Sequence, residues 1–263
     1  MQILWIIIAI ISSYLIGAIP FGYIIPKLFK GIDIREHGSK NVGSTNVLRV
    51  LGAKYGIPTF LLDCFKGALP IIIIRYMLGM SELFLISDTY DISIVFGAAA
   101  AIGHIKSIYI GFKGGKAVAT GVGAVIAINP IIGLSGIGLF FIVAFSTKYV
   151  SIGSVVASFS VAVMMWIGVL IKEIWIPVPN LTISYESQII NLVAISLIVL
   201  LIIYMHKKNF IRLMNGTENK IGQKRSKTSI SNAPLRVPSM ELFFYSKFLN
   251  VILLTIVYVI QFN

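Results

Sequence analysis

Three short polar segments interrupt an otherwise apolar chain, and each carries residue types that hold phosphate. The first runs from Gly38 through Ser39, Lys40, Asn41, Val42, Gly43, Ser44, Thr45 and Asn46 to Arg49. Glycine lets the backbone turn its N–H groups toward an anion, hydroxyls and amides add donors, and a guanidinium grips phosphate through paired hydrogen bonds. The segment reads equally as a turn followed by a helix cap at Ser44, Thr45 or Asn46. The second runs from Gly111 to Thr120, with Lys113, Gly114, Gly115 and Lys116 leading into a helix start. Amides at a helix N-terminus beside two lysines make a phosphate cradle. The other reading is membrane-edge lysines next to glycines that pack helices. It is not a nucleotide-binding P-loop, because Ile110 stands five residues before Gly115 and Ala117 follows Lys116 where that motif needs Gly and Ser or Thr. The third runs from His206 to Gly222. His206 and Asn209 share a face if the helix continues, and His206 can serve as a base, a phosphate donor or an interfacial residue.

Other chemistries find no residues. There is no Gly-x-Ser-x-Gly elbow, and none of His37, His104 or His206 opens a His-x4-Asp motif. The histidines lie far apart with no carboxylate or thiol cluster, so the reading includes no metal and no cofactor. Asp63 and Lys66, spaced i, i+3 in an apolar run, are costly there and are expected to pair as structural support. Ser151 and Ser154 are second-rank site candidates, and Glu218 is expected to pin its loop by pairing with a basic neighbour.

The elements that must position these groups are membrane spans. Of 263 residues, 57% are hydrophobic and 12% charged, against about a quarter charged in soluble domains. The reading is an all-α polytopic membrane protein. Apolar runs long enough to cross, or nearly so, occupy 2–25, 57–78, 92–110, 117–128, 131–145, 152–171 and 188–205, which makes seven spans. Asn129-Pro130 divides the short fourth and fifth into a tight hairpin. The N-terminus lacks a basic n-region and a cleavage site, so it reads as a retained first span starting outside. Segments 26–56, 103–116, 146–151 and 207–236 then hold 18 of the 22 Lys and Arg on the inner side. That placement accounts for most of the net charge of +12 and decides against nucleic acid. Cys64 is alone and reads as a packing residue. A basic linker and an apolar stretch at 225–263 follow a membrane domain at 1–224, and its segment 242–260 is a candidate eighth span or interfacial helix.

Taken together the three segments resemble those of the bacterial acyl-phosphate:glycerol-3-phosphate acyltransferases, the PlsY family. Gly38 to Arg49, preceded by Asp33-Ile34-Arg35, is similar to its first motif. Gly103-His104 with Phe112 to Thr120 is similar to the second, and His206, Asn209 and Gly216 to Gly222 to the third. The resemblance covers about residues 5 to 224. Departures are Lys40 and Ala117, where the family has Gly, Val42 for Pro, Ser44 for Ala, Lys106-Ser107 for Phe-Pro, and a longer 172–187 and tail.

The resemblance implies transfer of a fatty acyl group from acyl phosphate to the 1-hydroxyl of glycerol 3-phosphate, giving lysophosphatidic acid and phosphate. It implies work at the cytoplasmic face of a bacterial inner membrane, amid membrane lipid, with a soluble acyl-phosphate-producing enzyme as functional partner. Ser39, Arg49, Lys116, His206 and Asn209 are the expected catalytic set. Lys113, Gly114, Gly115, Thr45, Asn46 and Gly43 are the expected phosphate binders. Glycerol 3-phosphate is placed on Lys113 or Lys116, the Gly114–Gly115 amides, Arg49, His206 and Asn209; acyl phosphate is placed on Ser39, Thr45 and Asn46. The alternative is a membrane carrier for anionic phosphate esters.

Overall fold

The computed structural model describes residues 2–77, 92–170 and 185–222. Every regular element among them is helical: α1 (Gln2–Ala18), α2 (Phe21–Lys30), α3 (Ser44–Leu51), α4 (Ala53–Ile72), α5 (Ser93–Ile105), α6 (Val118–Ile128), α7 (Pro130–Thr147), α8 (Val150–Leu170), α9 (Tyr185–Met205) and α10 (Lys207–Met214), with short 3-10 turns at Ile34–Glu36 and Ile108–Ile110. Residues 79–91, most of 172–187 and the whole of 225–263, with its candidate eighth span, lie outside the described residues.

Within the described residues, each of the seven apolar runs falls mainly on helix. By length and composition five of them are long enough to cross a bilayer, a sixth is the α9–α10 pair bent by 44°, and α6 is shorter. The outer face of α7 leaves Ile131, Leu134, Ile142 and Phe145 uncovered by protein, as a lipid-facing helix does. Ile71, Ile94, Ile128, Met165, Leu192 and Ile195 form the main core between α4, α5, α6, α8 and α9. Small residues allow close crossing: a Cβ at Gly123 would strike the Cys64 backbone, and one at Gly103 the backbone of Tyr14 and Ala18.

Two prolines shape the scaffold. The first expected span is a helix broken at Ile19-Pro20, since proline offers no N–H and disfavours helix at the residue before it. The carbonyls so released are taken up from other helices: Ser107 Oγ donates to Ala18 O and Lys66 Nζ to Ile19 O at 2.7 Å. At the second break Asn129 caps α7 by accepting from Ile132 N at 3.1 Å, with Pro130 in the first helical position. Arg75 donates to Ala127 O and Ile128 O and closes the end of α6. Tyr14 Oη meets Lys106 O, Ile110 packs on the Ile34–Val42–Val47 cluster, and Ile221 N bonds Lys148 O at 2.9 Å. These contacts bring the polar segments to one end of the bundle.

Candidate active site

The first segment is a loop folded around one asparagine. Asp33 accepts from Arg35 N at 3.0 Å and pairs with its guanidinium, whose hydrogen bonds pull the Asp33 carboxyl down to about 2. Arg35 in turn lies 4.7 Å over the Tyr23 ring. From the first turn of α3, Asn46 reaches back into this loop and is only 1% exposed. Its Nδ2 donates to Ile34 O, His37 O and Asn41 O, and its Oδ1 accepts from Ser39 N at 2.7 Å. Asn41 Oδ1 occupies the Gly43 amide at 2.8 Å. Two expectations are corrected here. Asn46 and the Gly43 N–H are spent on the loop itself and do not face a phosphate, and α3 starts at Ser44 with Gly43 as its cap position, so none of Ser44, Thr45 or Asn46 caps it. Of the expected site residues in this segment, Ser39, Thr45 and Arg49 keep side chains that are not buried, and Thr45 and Arg49 lie four apart on α3.

The second segment corrects a larger expectation. Gly114 N donates to Ile105 O and Gly115 N to His104 O, both at 3.0 Å. The two amides therefore cap the carbonyl end of α5 and leave no cradle for an anion. Both positions need glycine for close approach, since a Cβ at 114 or 115 would run into His104 and Ile105. What the loop delivers is Lys116. Its ammonium donates to Asn209 Oδ1. Burial, then the nearby Arg212 charge, push it down to about 8, with Arg49 adding to the effect. Lys113 stays exposed.

Lys40 and Ala117, the two departures from glycine, both lie in the left-handed region, at φ 61° and 59°. Left-handed backbone costs a non-glycine residue about 1 kcal/mol. Lys40 is exposed, so Lys40→Gly is expected to stabilise the protein by about 1 kcal/mol. Ala117 is buried against Ala101 and Ile105, and the lost methyl burial of about 0.8 kcal/mol offsets the gain, leaving Ala117→Gly near neutral. Thermal unfolding of the two variants in detergent checks the contrast; equal shifts would contradict it.

The third segment does not continue as one helix. The chain turns at His206, which stands at the cap position of α10, and Asn209 N donates back to His206 O at 2.8 Å. His206 Nδ1 lies 2.8 Å from Ile202 O. A carbonyl only accepts, so Nδ1 carries the proton and Nε2 keeps a lone pair. Burial, then the Lys116 charge, push the imidazole down to about 4, so it is neutral at pH 7. Asn209 Nδ2 donates to Glu218 Oε1 at 2.7 Å, fixing its amide so that Oδ1 meets Lys116. Glu218 also accepts from Ser151 Oγ at 3.1 Å and from Arg212 Nε at 2.6 Å. The turn that holds it has Gly216 at φ 65°, with Thr217 N and Glu218 N bonded to Arg212 O.

The structure thus joins Lys116, Asn209, Glu218, Ser151 and Arg212 in one network, with Arg49 and His206 within electrostatic reach. Ser154 is separate: its hydroxyl bonds Val150 O within its own helix at 2.9 Å. Asp63 and Lys66 do pair, at 2.7 Å. Arg212 was not singled out in the sequence, although its position three after Asn209 and six before Glu218 was the available signal.

The sequence model of the family described as glycerol-3-phosphate acyltransferase matches residues 7–216. The chain is 99% identical over 225 residues to a glycerol-3-phosphate acyltransferase of Acholeplasma laidlawii, covering 86% of this chain and 97% of that protein. Against one from Fusobacterium nucleatum it is 38% identical over 212 residues, covering 80% and 95%. The crystal structure of PlsY (YgiH), an integral membrane glycerol 3-phosphate acyltransferase, in its glycerol 3-phosphate form matches at a TM-score of 0.68 and 35% identity, covering 82% of this chain and 95% of that one. Its lysophosphatidic acid form matches at 0.66 and 34% over the same shares. A match of that extent takes in the first two polar segments and the turn at His206, so the chain belongs to the PlsY family of integral membrane glycerol-3-phosphate acyltransferases.

Proposed function

We propose that the protein moves a fatty acyl group from acyl phosphate to the 1-hydroxyl of glycerol 3-phosphate, at the cytoplasmic end of a seven-span bundle in a bacterial inner membrane. The observation that carries the reading is the half-buried Lys116 ammonium, fixed by Asn209 and flanked by Arg49, Arg212 and a neutral His206. Such a cluster suits anionic substrates held in a partly dry site. The family's solved structures in glycerol 3-phosphate and lysophosphatidic acid forms support the acceptor and the product. Acyl phosphate as donor is what the family resemblance implies, and the residues suit it: phosphate is a weakly basic leaving group that needs no strong general acid and no covalent acyl-enzyme.

In the step itself, the hydroxyl oxygen attacks the acyl carbonyl carbon and the bond from that carbon to the phosphate oxygen breaks. The hydroxyl proton goes to His206 Nε2 or directly to a substrate phosphate oxygen, and finally to the phosphate released. Lys116 and Arg49 balance the charge of the phosphates, Ser39 and Thr45 add donors from the first loop, and Asn209 with Glu218 holds Lys116 in place. The Gly114–Gly115 amides play no part in anion binding. Most of the rate gain is proximity and electrostatics. The soluble partner is an enzyme that makes acyl phosphate.

The test is detergent-purified protein given acyl phosphate and labelled glycerol 3-phosphate. Labelled lysophosphatidic acid and free phosphate in equal amounts are expected. Equal turnover with an acyl thioester would overturn the donor. Uptake of glycerol 3-phosphate into vesicles with no new ester would make the protein a carrier instead.

A further inference from the structure

Beneath the Lys116 loop a buried polar chain crosses three helices. Lys66 and Asp63, each 1% exposed, pair on α4, and Lys66 also holds the Ile19 carbonyl at the break between α1 and α2. The same Asp63 Oδ1 lies 3.6 Å from His104 Nδ1, in the last turn of α5. The far edge of the same imidazole fills the space above which the loop passes. A Cβ built at residue 115 would stand 3.0 Å from His104 Cε1 and 3.1 Å from Cδ2, and closer still to Nε2. The loop therefore rests on the His104 ring and is tied down on either side by the Gly114 and Gly115 hydrogen bonds to α5. The residue after that contact is Lys116. Ionisable groups at membrane depth are expensive and persist where they have work to do, and the catalytic set leaves these three without any.

We propose that His104 is a positioning residue for Lys116. Facing Asp63 across 3.6 Å, its ring sets the height of the Gly114–Gly115 loop and so the place of the Lys116 ammonium beside Asn209. The inference rests on the reading of Lys116 as a substrate-phosphate ligand, and it adds to that reading a support reaching back to the first span. Neither His104 nor Asp63 touches substrate.

The experiment is a double-mutant cycle on purified full-length protein, assayed with acyl phosphate and glycerol 3-phosphate. His104→Ala is expected to raise the KM for glycerol 3-phosphate about tenfold with kcat within about threefold, a cost in keeping with a small displacement of a binding group. Asp63→Asn is expected to move KM in the same direction, and His104→Asn, which keeps a donor toward Asp63, to raise it only about threefold. In a Lys116→Ala background, adding His104→Ala is expected to change kcat/KM by less than about twofold, because the group being positioned is gone. An unchanged KM in His104→Ala overturns the proposal, and so does a His104 effect of equal size with and without Lys116. If the alanine variant does not fold, the His104→Asn cycle is read by the same two criteria. A Lys116→Ala protein with normal kinetics would instead remove the underlying site reading, a result separable from either of these.

Discussion

Lys116→Ala is expected to lower kcat/KM for glycerol 3-phosphate by about 10² to 10³, the cost of removing one preorganised charge donor from an active site. The ammonium is half-buried and fixed by Asn209, so no mobile lysine nearby can replace it; Lys113 is on the exposed side of the loop. Lys116→Arg keeps the charge and is expected to lose about tenfold, since a planar fork does not fit the place of a compact ammonium. The pair also separates in pH. Because Lys116 titrates at about 8, its charge is complete below that value and is lost as pH rises through it. The wild-type KM for glycerol 3-phosphate is therefore expected to climb above pH 8 while that of Lys116→Arg stays level, arginine remaining charged throughout. Turnover of the alanine variant within about threefold of wild type, or a high-pH limb that persists in the arginine variant, would refute the assignment.

Glu218→Ala is expected to cost about 3 kcal/mol of stability together with nearly all activity, since it breaks a buried ion pair and leaves Ser151, Asn209 and Arg212 without their shared acceptor. The figure sits at the low end for such pairs because the Arg212 side chain is 35% exposed and water recovers part of its charge. Glu218→Gln sharpens the test. A glutamine oxygen can still accept from Ser151 and Asn209, but its amide would face the Arg212 Nε–H donor to donor. It is expected to fold with a lowered Tm and reduced turnover, and tryptophan fluorescence on heating in detergent reads the first effect. A glutamine variant with wild-type Tm and turnover would show that the charge on Glu218 is dispensable.

Helix positions and the three polar segments were legible because apolar run length and proline placement are local signals. The division at Asn129-Pro130 belongs to that class; the break at Pro20, inside the run read as one span over 2–25, and the linkage of its carbonyls to Lys66 and Ser107 do not. The glycine pair at 114–115 misled for a physical reason. Two adjacent glycines before a helix look the same whether their amides face a phosphate or the carbonyls of His104 and Ile105, and only tertiary placement decides. Asn46 was misread likewise, as its four hydrogen bonds go to backbone groups of residues 34 to 41. The pairing of Asp63 with Lys66 was readable from i, i+3 spacing; the approach of His104 to that pair was not, since it comes from another helix. Arg212 was hidden by an ordinary basic surround, where a cation at the inner face already had an explanation in topology.

The break at Ile19-Pro20 also bears on how the chain is built into a bilayer. The helix that begins at Ala53 carries Asp63 and Lys66 in its interior together with two prolines, and each charge near the centre of a bilayer opposes insertion by about 3 kcal/mol on biological scales. Pairing with Asp63 relieves part of this, and the Ile19 carbonyl relieves more. The break in the first helix thus gives the Lys66 ammonium a second acceptor, so the burden of burying that charge is shared between two helices.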